Sequence, residues 1–311
     1  MPSERIIMRT NVYDDVFRTL AQKTPRVFVS LINEVFGTNY SGEAELEQLH
    51  NEFYKEDGVV ITDSIFKIGG ERYHIECQSN QDGTMAIRMV EYDFLSGITE
   101  ARKQNEYEKV ELPMSCVLYL RSTRNTPDSL VIKICQDDRS MDYVTKVIKL
   151  SDYTTDVILE KKLLIMIPFL MFNYEKRLKS KRNRDEALEG VLKECQKVAY
   201  LLGSLGNDEV TNNELLDLIE GFEKVTGYLF KNDPRVSEEV EKIMGGNVYK
   251  TRSEVLLEEG MEKGREEGIK EGRRSALISL FSKGIITEEQ ACRELAVSSE
   301  ELKSLQKALS S

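Results

Sequence analysis

The stretch from Ile61 to Gln78 constrains the fold of this 311-residue chain most strongly, because it predicts a β-hairpin. Two runs in which apolar and polar residues alternate flank the dipeptide Gly69-Gly70. Glycine pairs are favoured in two-residue hairpin turns, since both positions need a positive φ that other residues rarely adopt. The sequence therefore predicts two antiparallel strands that meet at these glycines.

The register of this hairpin brings two carboxylates together. If the two glycines form the whole loop, Asp63 stands directly opposite Glu76, with Cβ atoms about 5 Å apart. Two carboxylates at that separation repel each other unless a proton or a cation lies between them. The pair therefore favours a divalent metal as mediator. A solvated sheet face with cross-strand polar pairs, such as Asp63 with His74, is the open alternative.

Strand alternation divides the hairpin into an apolar face and a polar face. The apolar face is predicted to face the core and includes Phe66, Ile68, Tyr73, Ile75 and Cys77. The polar face includes Asp63, Ile65, Lys67, Arg72, His74, Glu76 and Gln78. Because His74 has no second His or Cys at ligand spacing, zinc is not indicated and His74 is predicted to be peripheral.

The order of the predicted elements indicates an α/β fold. A helix broken near Pro25 is predicted over Asp14–Gly37, the hairpin over about Gly58–Gln78, and a second helix over Met85–Tyr107. The buried side of that second helix is predicted to include Met85, Met89, Tyr92, Phe94 and Leu95. The later predicted elements are strands at Leu112–Leu120, Leu130–Ile134 and Tyr143–Ile148, and helices at Asp156–Lys179 (bent at Pro168) and Asp185–Leu202.

The hairpin also carries the motif of a known family. An Asp on one strand, followed by Glu-x-Lys or Glu-x-Gln on the next, marks the PD-(D/E)XK nucleases, and Asp63 with Glu76-Cys77-Gln78 fits that pattern. The chain resembles their Rpn (recombination-promoting nuclease) and transposase-like branch, also through Asp15–Leu20, Ile32–Gly37, Met85–Tyr92 and a glycine-spaced tail. This resemblance implies a restriction-endonuclease-like mixed sheet with flanking helices, followed by an all-helical C-terminal region.

The resemblance implies a metal-dependent endonuclease of double-stranded DNA, linked to mobile DNA, recombination or defence. In the family, Mg²⁺ or Mn²⁺ is held at the positions of Asp63, Glu76 and the backbone carbonyl of Cys77, and such hard cations prefer oxygen ligands. Gln78 takes the position of the usual Lys beside the attacking water, which it can orient without bringing a positive charge. The alternative is a catalytically silent member that binds DNA or protein.

Charged residues on the two helices supply further candidates. An acidic residue of the first helix often completes such sites; Glu34 is preferred, followed by Asp14 and Asp15. The alternative is that these three are simply exposed charges. Arg88 and Glu91 are three residues apart and share a helix face, so Arg88 is predicted either to contact phosphate or to pair with Glu91.

The net charge of −11 argues against indiscriminate binding to nucleic acid, which depends on Lys and Arg. The run from 176 to 184 nevertheless holds six cations in nine residues. It predicts a strip that contacts the DNA backbone through Lys176, Arg177, Lys179, Lys181 and Arg182, with a solvated link between helices as the alternative.

The remaining composition favours a cytoplasmic protein. The five cysteines are scattered without a Cys-x-x-Cys motif, which predicts reduced thiols rather than a disulfide framework. No secretory signal is indicated at the start of the chain. The longest apolar run, Leu163–Phe172, is too short to span a bilayer.

Three domains are predicted: a nuclease-like domain with a helical extension over residues 1–235, a charged helical linker over 236–274, and a three-helix module over 275–311. Glycine recurs every four residues in the linker, at Gly260, Gly264, Gly268 and Gly272. Each costs a helix about 1 kcal/mol relative to Ala, so a helix here needs a partner that approaches the small-residue ridge. A homo-oligomer assembled through the C-terminal helices is predicted, with a flexible charged tether as the alternative.

Overall fold

The computed structural model describes residues 11–49, 52–55, 58–105, 108–180, 184–206, 209–231 and 234–310. The chain divides into two compact units, residues 1–252 and residues 253–311. The first unit contains all the strands that the structure describes, so the α/β fold belongs to it.

The first unit is built on a mixed six-stranded sheet with the order β1-β4-β5-β6-β8-β7. Neighbouring β5–β6 and β6–β8 are parallel, and the other pairs are antiparallel. A separate antiparallel pair is formed by β2 and β3. The strands are β1 (Glu47–Gln48), β2 (Glu52–Lys55), β3 (Gly58–Ile61), β4 (Ser64–Ile68), β5 (Glu71–Gln78), β6 (Met114–Tyr119), β7 (Ser129–Gln136) and β8 (Arg139–Lys149).

The glycine turn and its register are confirmed. Gly69 and Gly70 have φ of 59° and 90°, and Ile68 pairs with Glu71 as predicted. The prediction of one continuous first strand is wrong, because β3 pairs with β2 and the chain bends at Asp63 before β4 begins. The Asp63 amide donates to a Glu76 carboxylate oxygen instead of to a backbone carbonyl, which ends the ladder at this residue.

The helices surround this sheet and build the main core of the first unit. They are α1 (Val12–Lys23), α2 (Val29–Phe36), α3 (Met85–Lys103), α4 (Thr155–Glu160), α5 (Glu175–Lys179), α6 (Arg184–Ser204), α7 (Asn212–Leu229) and α8 (Pro234–Glu241). The break predicted near Pro25 is confirmed as a 3₁₀ turn at Pro25–Phe28. Gly37, with φ of 69°, ends α2 in the left-handed conformation that glycine favours.

Both faces of the hairpin are buried. The predicted apolar face joins the main core, where Phe66 packs 4.7 Å, centroid to centroid, from Phe28. The polar face is covered by α3, whose Met85 and Met89 pack against residues of β6 and β8. The solvated-face alternative is therefore wrong, since Asp63 and Glu76 are each only 2% exposed.

The buried side of α3 differs from the prediction. Phe94 and Leu95 are only half-buried, whereas Asp93 and Gly97 are buried. A Cβ on Gly97 would lie 2.7 Å from the carbonyl oxygen of Glu111, so the glycine permits a close backbone approach. Apolar spacing predicts only the apolar part of a face, and here part of the buried face is a carboxylate.

The apolar run after α4 forms a 3₁₀ helix at Leu164–Asn173 rather than an α-helix bent at Pro168. Proline lacks the amide proton that an α-helix interior needs, which accounts for the change. Residues 164–172 are all buried in the main core. Among the described residues, no helix has both the length and the apolar composition needed to cross a bilayer.

The C-terminal unit is helical. Its first helix, α9 (Val248–Ser282), begins within the last residues of the first unit, after a π-helical turn at Lys242–Asn247, and is continuous through the glycine-spaced stretch. The other helices are α10 (Glu288–Leu295) and α11 (Ser299–Ser310). A capping box starts each of these two helices, with Thr287 and Ser298 as the caps. Ile278, Ala291 and Leu302 form the buried centre of this unit.

Candidate functional site

Asp63 is held by two donors at the point where the chain enters β4. The Arg18 Nε donates to Asp63 Oδ1 at 2.8 Å, and the Cys77 amide donates to Oδ2 at 2.9 Å. Arg18 projects from α1, and Cys77 lies on β5, so the carboxylate connects a helix to the sheet. Both oxygens of the Asp63 carboxylate are therefore engaged.

Glu76 lies beside Asp63 and is fixed from two directions. Its Oε1 accepts the amide of Asp63 at 2.8 Å and contacts Nε2 of His74 at 3.0 Å. The hydrogen bonds between the two strands are thus reciprocal. The Asp63 carboxylate accepts the amide of Cys77, next to Glu76, and the Glu76 carboxylate accepts the amide of Asp63. The predicted proximity of Asp63 and Glu76 is confirmed.

His74 connects Glu76 to a third carboxylate. Its Nδ1 lies 2.5 Å from Oδ1 of Asp93 on α3, and the other oxygen of Asp93 accepts the hydroxyls of Ser115 and Tyr143. Burial alone would lower the pKa of His74, but Asp93 and Glu76 raise it to about 10. The ring therefore carries both protons at neutral pH and donates to both carboxylates.

Two acids of this cluster, Asp63 and Asp14, have raised pKa values. Burial, together with the charge of Glu76, raises the pKa of Asp63 to about 8, against the opposing effect of Arg18. Burial also raises the pKa of Asp14 to about 6, and Arg18 lowers it in part. Perturbed acids of this kind cluster at functional sites, although structural ion pairs produce them too.

Asp14, and not Glu34, is the acid of the first helices that belongs to this cluster. Asp14 and Arg18 are four residues apart on α1 and share a helix face. Glu34 lies on α2 beyond the break at Pro25, where its carboxylate pairs with Lys161 at 2.7 and 2.9 Å. The structure therefore does not bring Glu34 together with Asp63, and Asp15 is exposed.

Gln78 and Arg88 lie at the margin of the cluster. Gln78 is half-buried on β5, two residues beyond Glu76 and on the same strand face. Arg88 donates from Nε to the hydroxyl of Tyr92 at 3.0 Å, and its Nη1 is 3.4 Å from Asp82. With a guanidinium that is partly exposed, Arg88 keeps the capacity to contact an anion.

The predicted basic strip is described in part. Lys176, Arg177 and Lys179 are exposed on α5, and Lys179 pairs with Glu175 at 2.6 Å. Glu175 also receives two hydrogen bonds from Arg121, at 2.6 and 3.0 Å. The remaining two predicted contacts, Lys181 and Arg182, lie outside the described residues.

In the arrangement of the structure, protein donors occupy the two oxygens of Asp63. Within the described ranges, no group of three or more His, Cys, Asp or Glu side chains is placed to hold a metal ion. Both oxygens of Asp63 already bind donors, and the Arg18 guanidinium occupies the side on which a cation would bind. Positive charge comes instead from Arg18 and His74.

Comparison of the chain with protein-family models, with curated proteins and with solved structures finds no match. The site therefore has to be understood from its own geometry. Sequence reasoning found Asp63 and Glu76 but missed the partners Arg18 and Asp93, and it placed His74 at the periphery. The alternation of strand residues did contain a signal for His74, since it places His74 on the same predicted face as Glu76.

Proposed function

We propose that the chain is a nuclease of the PD-(D/E)XK type, from the Rpn and transposase-like branch, that cleaves phosphodiester bonds in double-stranded DNA. The observation that carries this proposal is the placement of Asp63, Glu76 and Cys77. At the point where the chain enters β4, the Cys77 amide donates to the Asp63 carboxylate and the Asp63 amide donates to the Glu76 carboxylate. The residues that carry the family's motif are thus brought together on a mixed sheet flanked by helices.

The surroundings of the cluster also suit a phosphodiester. Arg18 is one-quarter exposed and Arg88 about one-third, so each has a side that can meet a phosphate oxygen. Guanidinium groups bind phosphate with two parallel hydrogen bonds and stay charged at all working pH values. The exposed cations of α5 would add backbone contacts, which carry most of the affinity for duplex DNA.

The resemblance implies Mg²⁺ or Mn²⁺ as cofactor. Because Arg18 binds Asp63 Oδ1 in this arrangement, a divalent cation has to displace it to reach that oxygen. Cleavage is therefore expected to need higher cation concentrations than a site with two free carboxylates would. We also propose a cytoplasmic protein that serves mobile DNA, recombination or defence, and a homo-oligomer formed through the C-terminal helices.

A second candidate is the catalytically silent member, acting as a module that binds DNA or protein. One observation favours it: Arg18 already pairs with Asp63, and His74 already pairs with Glu76. In addition, Gln78 supplies no positive charge where the family has Lys. In this case the cluster would serve to hold α1, α3 and the sheet together around a binding surface.

A plasmid-nicking assay over a range of Mg²⁺ and Mn²⁺ concentrations separates the two candidates. We expect the wild type to nick DNA, Asp63→Asn to lose about 100-fold or more of the rate, and Glu34→Gln to keep it. Glu34→Gln is the matched control because it also removes an acid that pairs with a basic residue. An inactive wild type that still binds duplex DNA would establish the silent module instead.

A further inference from the structure

We propose that His74 and Asp93 are positioning residues that fix the carboxylate of Glu76 beside Asp63. The inference rests on the proposed function, in which Glu76 is one of the two acids of the site. It assigns a role to a histidine and an aspartate that the motif itself does not include.

The contacts form a chain that ends at Glu76. Tyr143 on β8 and Ser115 on β6 donate to one oxygen of Asp93. The other oxygen of Asp93 holds Nδ1 of His74, which leaves Nε2 aimed at Glu76 Oε1. Two strands and α3 therefore determine the ring's orientation, and β5 carries the ring and its target.

Burial of charged groups costs folding free energy, which indicates that this pair serves something other than stability. His74 on β5 and Asp93 on α3 are both 0% exposed. Replacing buried ionic groups of this kind by well-packed apolar side chains is often neutral or stabilising. The opposite face of the same strand shows that apolar residues fit this sheet well.

Histidine–carboxylate pairs that orient a functional group occur widely one layer behind the reacting atoms. They act because a fixed partner prevents the functional side chain from adopting other rotamers. Glu76 has a flexible side chain with three rotatable bonds, and His74 removes most of that freedom on one side while the Asp63 amide does so on the other. Loss of His74 should therefore release the carboxylate from the Asp63 amide.

This consequence gives a test that does not depend on activity. Amide hydrogen exchange by NMR reports the Asp63 amide, which is bonded to Glu76, and the Cys77 amide, which is bonded to Asp63. In His74→Leu we expect the Asp63 amide to exchange about 10-fold faster while the Cys77 amide is unchanged. Arg18→Gln is the matched control and should accelerate the Cys77 amide in preference to the Asp63 amide.

If His74→Leu accelerates exchange of the Asp63 and Cys77 amides equally, or of neither, the inference is overturned. A merely structural role of His74 would affect both amides alike. If His74→Leu fails to fold, Asp93→Asn carries the same comparison, since it preserves the shape of the side chain and weakens the hold on the ring. If the wild type cuts DNA, both variants should show a lower kcat than the wild type and an unchanged KM. A wild type without cleavage ends the proposed function, while the amide pattern still decides the positioning role.

Discussion

The central residues on the two faces of β5 are buried to the same degree and carry opposite chemistry. Tyr73, Ile75 and Cys77 point into the main core and are 0% exposed. On the other face, His74 is 0% and Glu76 is 2% exposed, yet both have ionisable side chains, and His74 contacts the carboxylates of Glu76 and Asp93. Burial by itself therefore does not identify a stabilising core. One face lowers the energy of the fold, and the other holds charge in a fixed geometry.

The largest effect is expected from the apolar face. Phe66→Ala would leave a cavity beside Phe28 and should lower the free energy of unfolding by about 3–5 kcal/mol. Urea denaturation followed by circular dichroism measures it. Ile87→Ala is the control, because Ile87 is 63% exposed and its loss should change stability by less than about 0.5 kcal/mol. Equal effects of the two substitutions would contradict the assignment of this face to the core.

On the polar face, Asp63→Asn is expected to raise stability at alkaline pH. An acid whose pKa rises on folding, here from 3.8 to about 8, retains a proton that the unfolded chain releases. The free energy of unfolding should therefore fall as pH rises between those values. His74 acts in the same direction, since its stabilising protonation is complete below pH 6.5 and is lost as pH approaches about 10.

Urea unfolding of the wild type and Asp63→Asn at pH 5 and pH 8 checks this expectation. The wild type should lose stability between the two pH values, and the variant should lose about 2 kcal/mol less. Glu34→Gln, on the opposite side of the Pro25 break, should follow the wild type. A wild type that gains stability over this range would show that Asp63 is favourably ionised in the folded chain.

Arg18→Gln removes the cation that pairs with Asp63 on the polar face. We expect Mn²⁺, followed by isothermal titration calorimetry, to bind about 10-fold more tightly to the variant than to the wild type, because the competing guanidinium is gone. Lys161→Gln removes the partner of Glu34 and serves as the matched control. If Lys161→Gln also binds Mn²⁺ more tightly, or if Arg18→Gln binds it no more tightly than the wild type, then Arg18 does not compete with a cation.

Much of the sheet could be predicted from the sequence, but only half of the charged cluster could. The Gly69-Gly70 turn fixes a local register, so two acids within one hairpin are brought together by short-range rules. Asp93 is 17 residues beyond Glu76 and meets His74 only because α3 folds back over the sheet. Tyr143 is farther still. No local pattern distinguishes a buried aspartate on a helix from an exposed one. The apolar spacing of α3 predicts Phe94 and Leu95, instead of Asp93, on the buried side.

The smallest effect, and the most specific to function, is expected from Gln78→Lys. Gln78 is half-buried at the end of β5, so the substitution should change stability by less than about 0.5 kcal/mol. In the proposed nuclease, a lysine here would place a positive charge beside the attacking water, lower the pKa of that water, and raise the cleavage rate about 3- to 10-fold at neutral pH. Gln136→Lys, at the exposed end of β7, adds the same charge away from the cluster and should not change the rate. If Gln78→Lys accelerates cleavage and Gln136→Lys does not, then the polar face of β5 acts on the reaction itself. If neither variant cuts faster than the wild type, then a further positive charge on this face does not limit the cleavage rate, and Arg18 and His74 already supply the charge that the reaction uses.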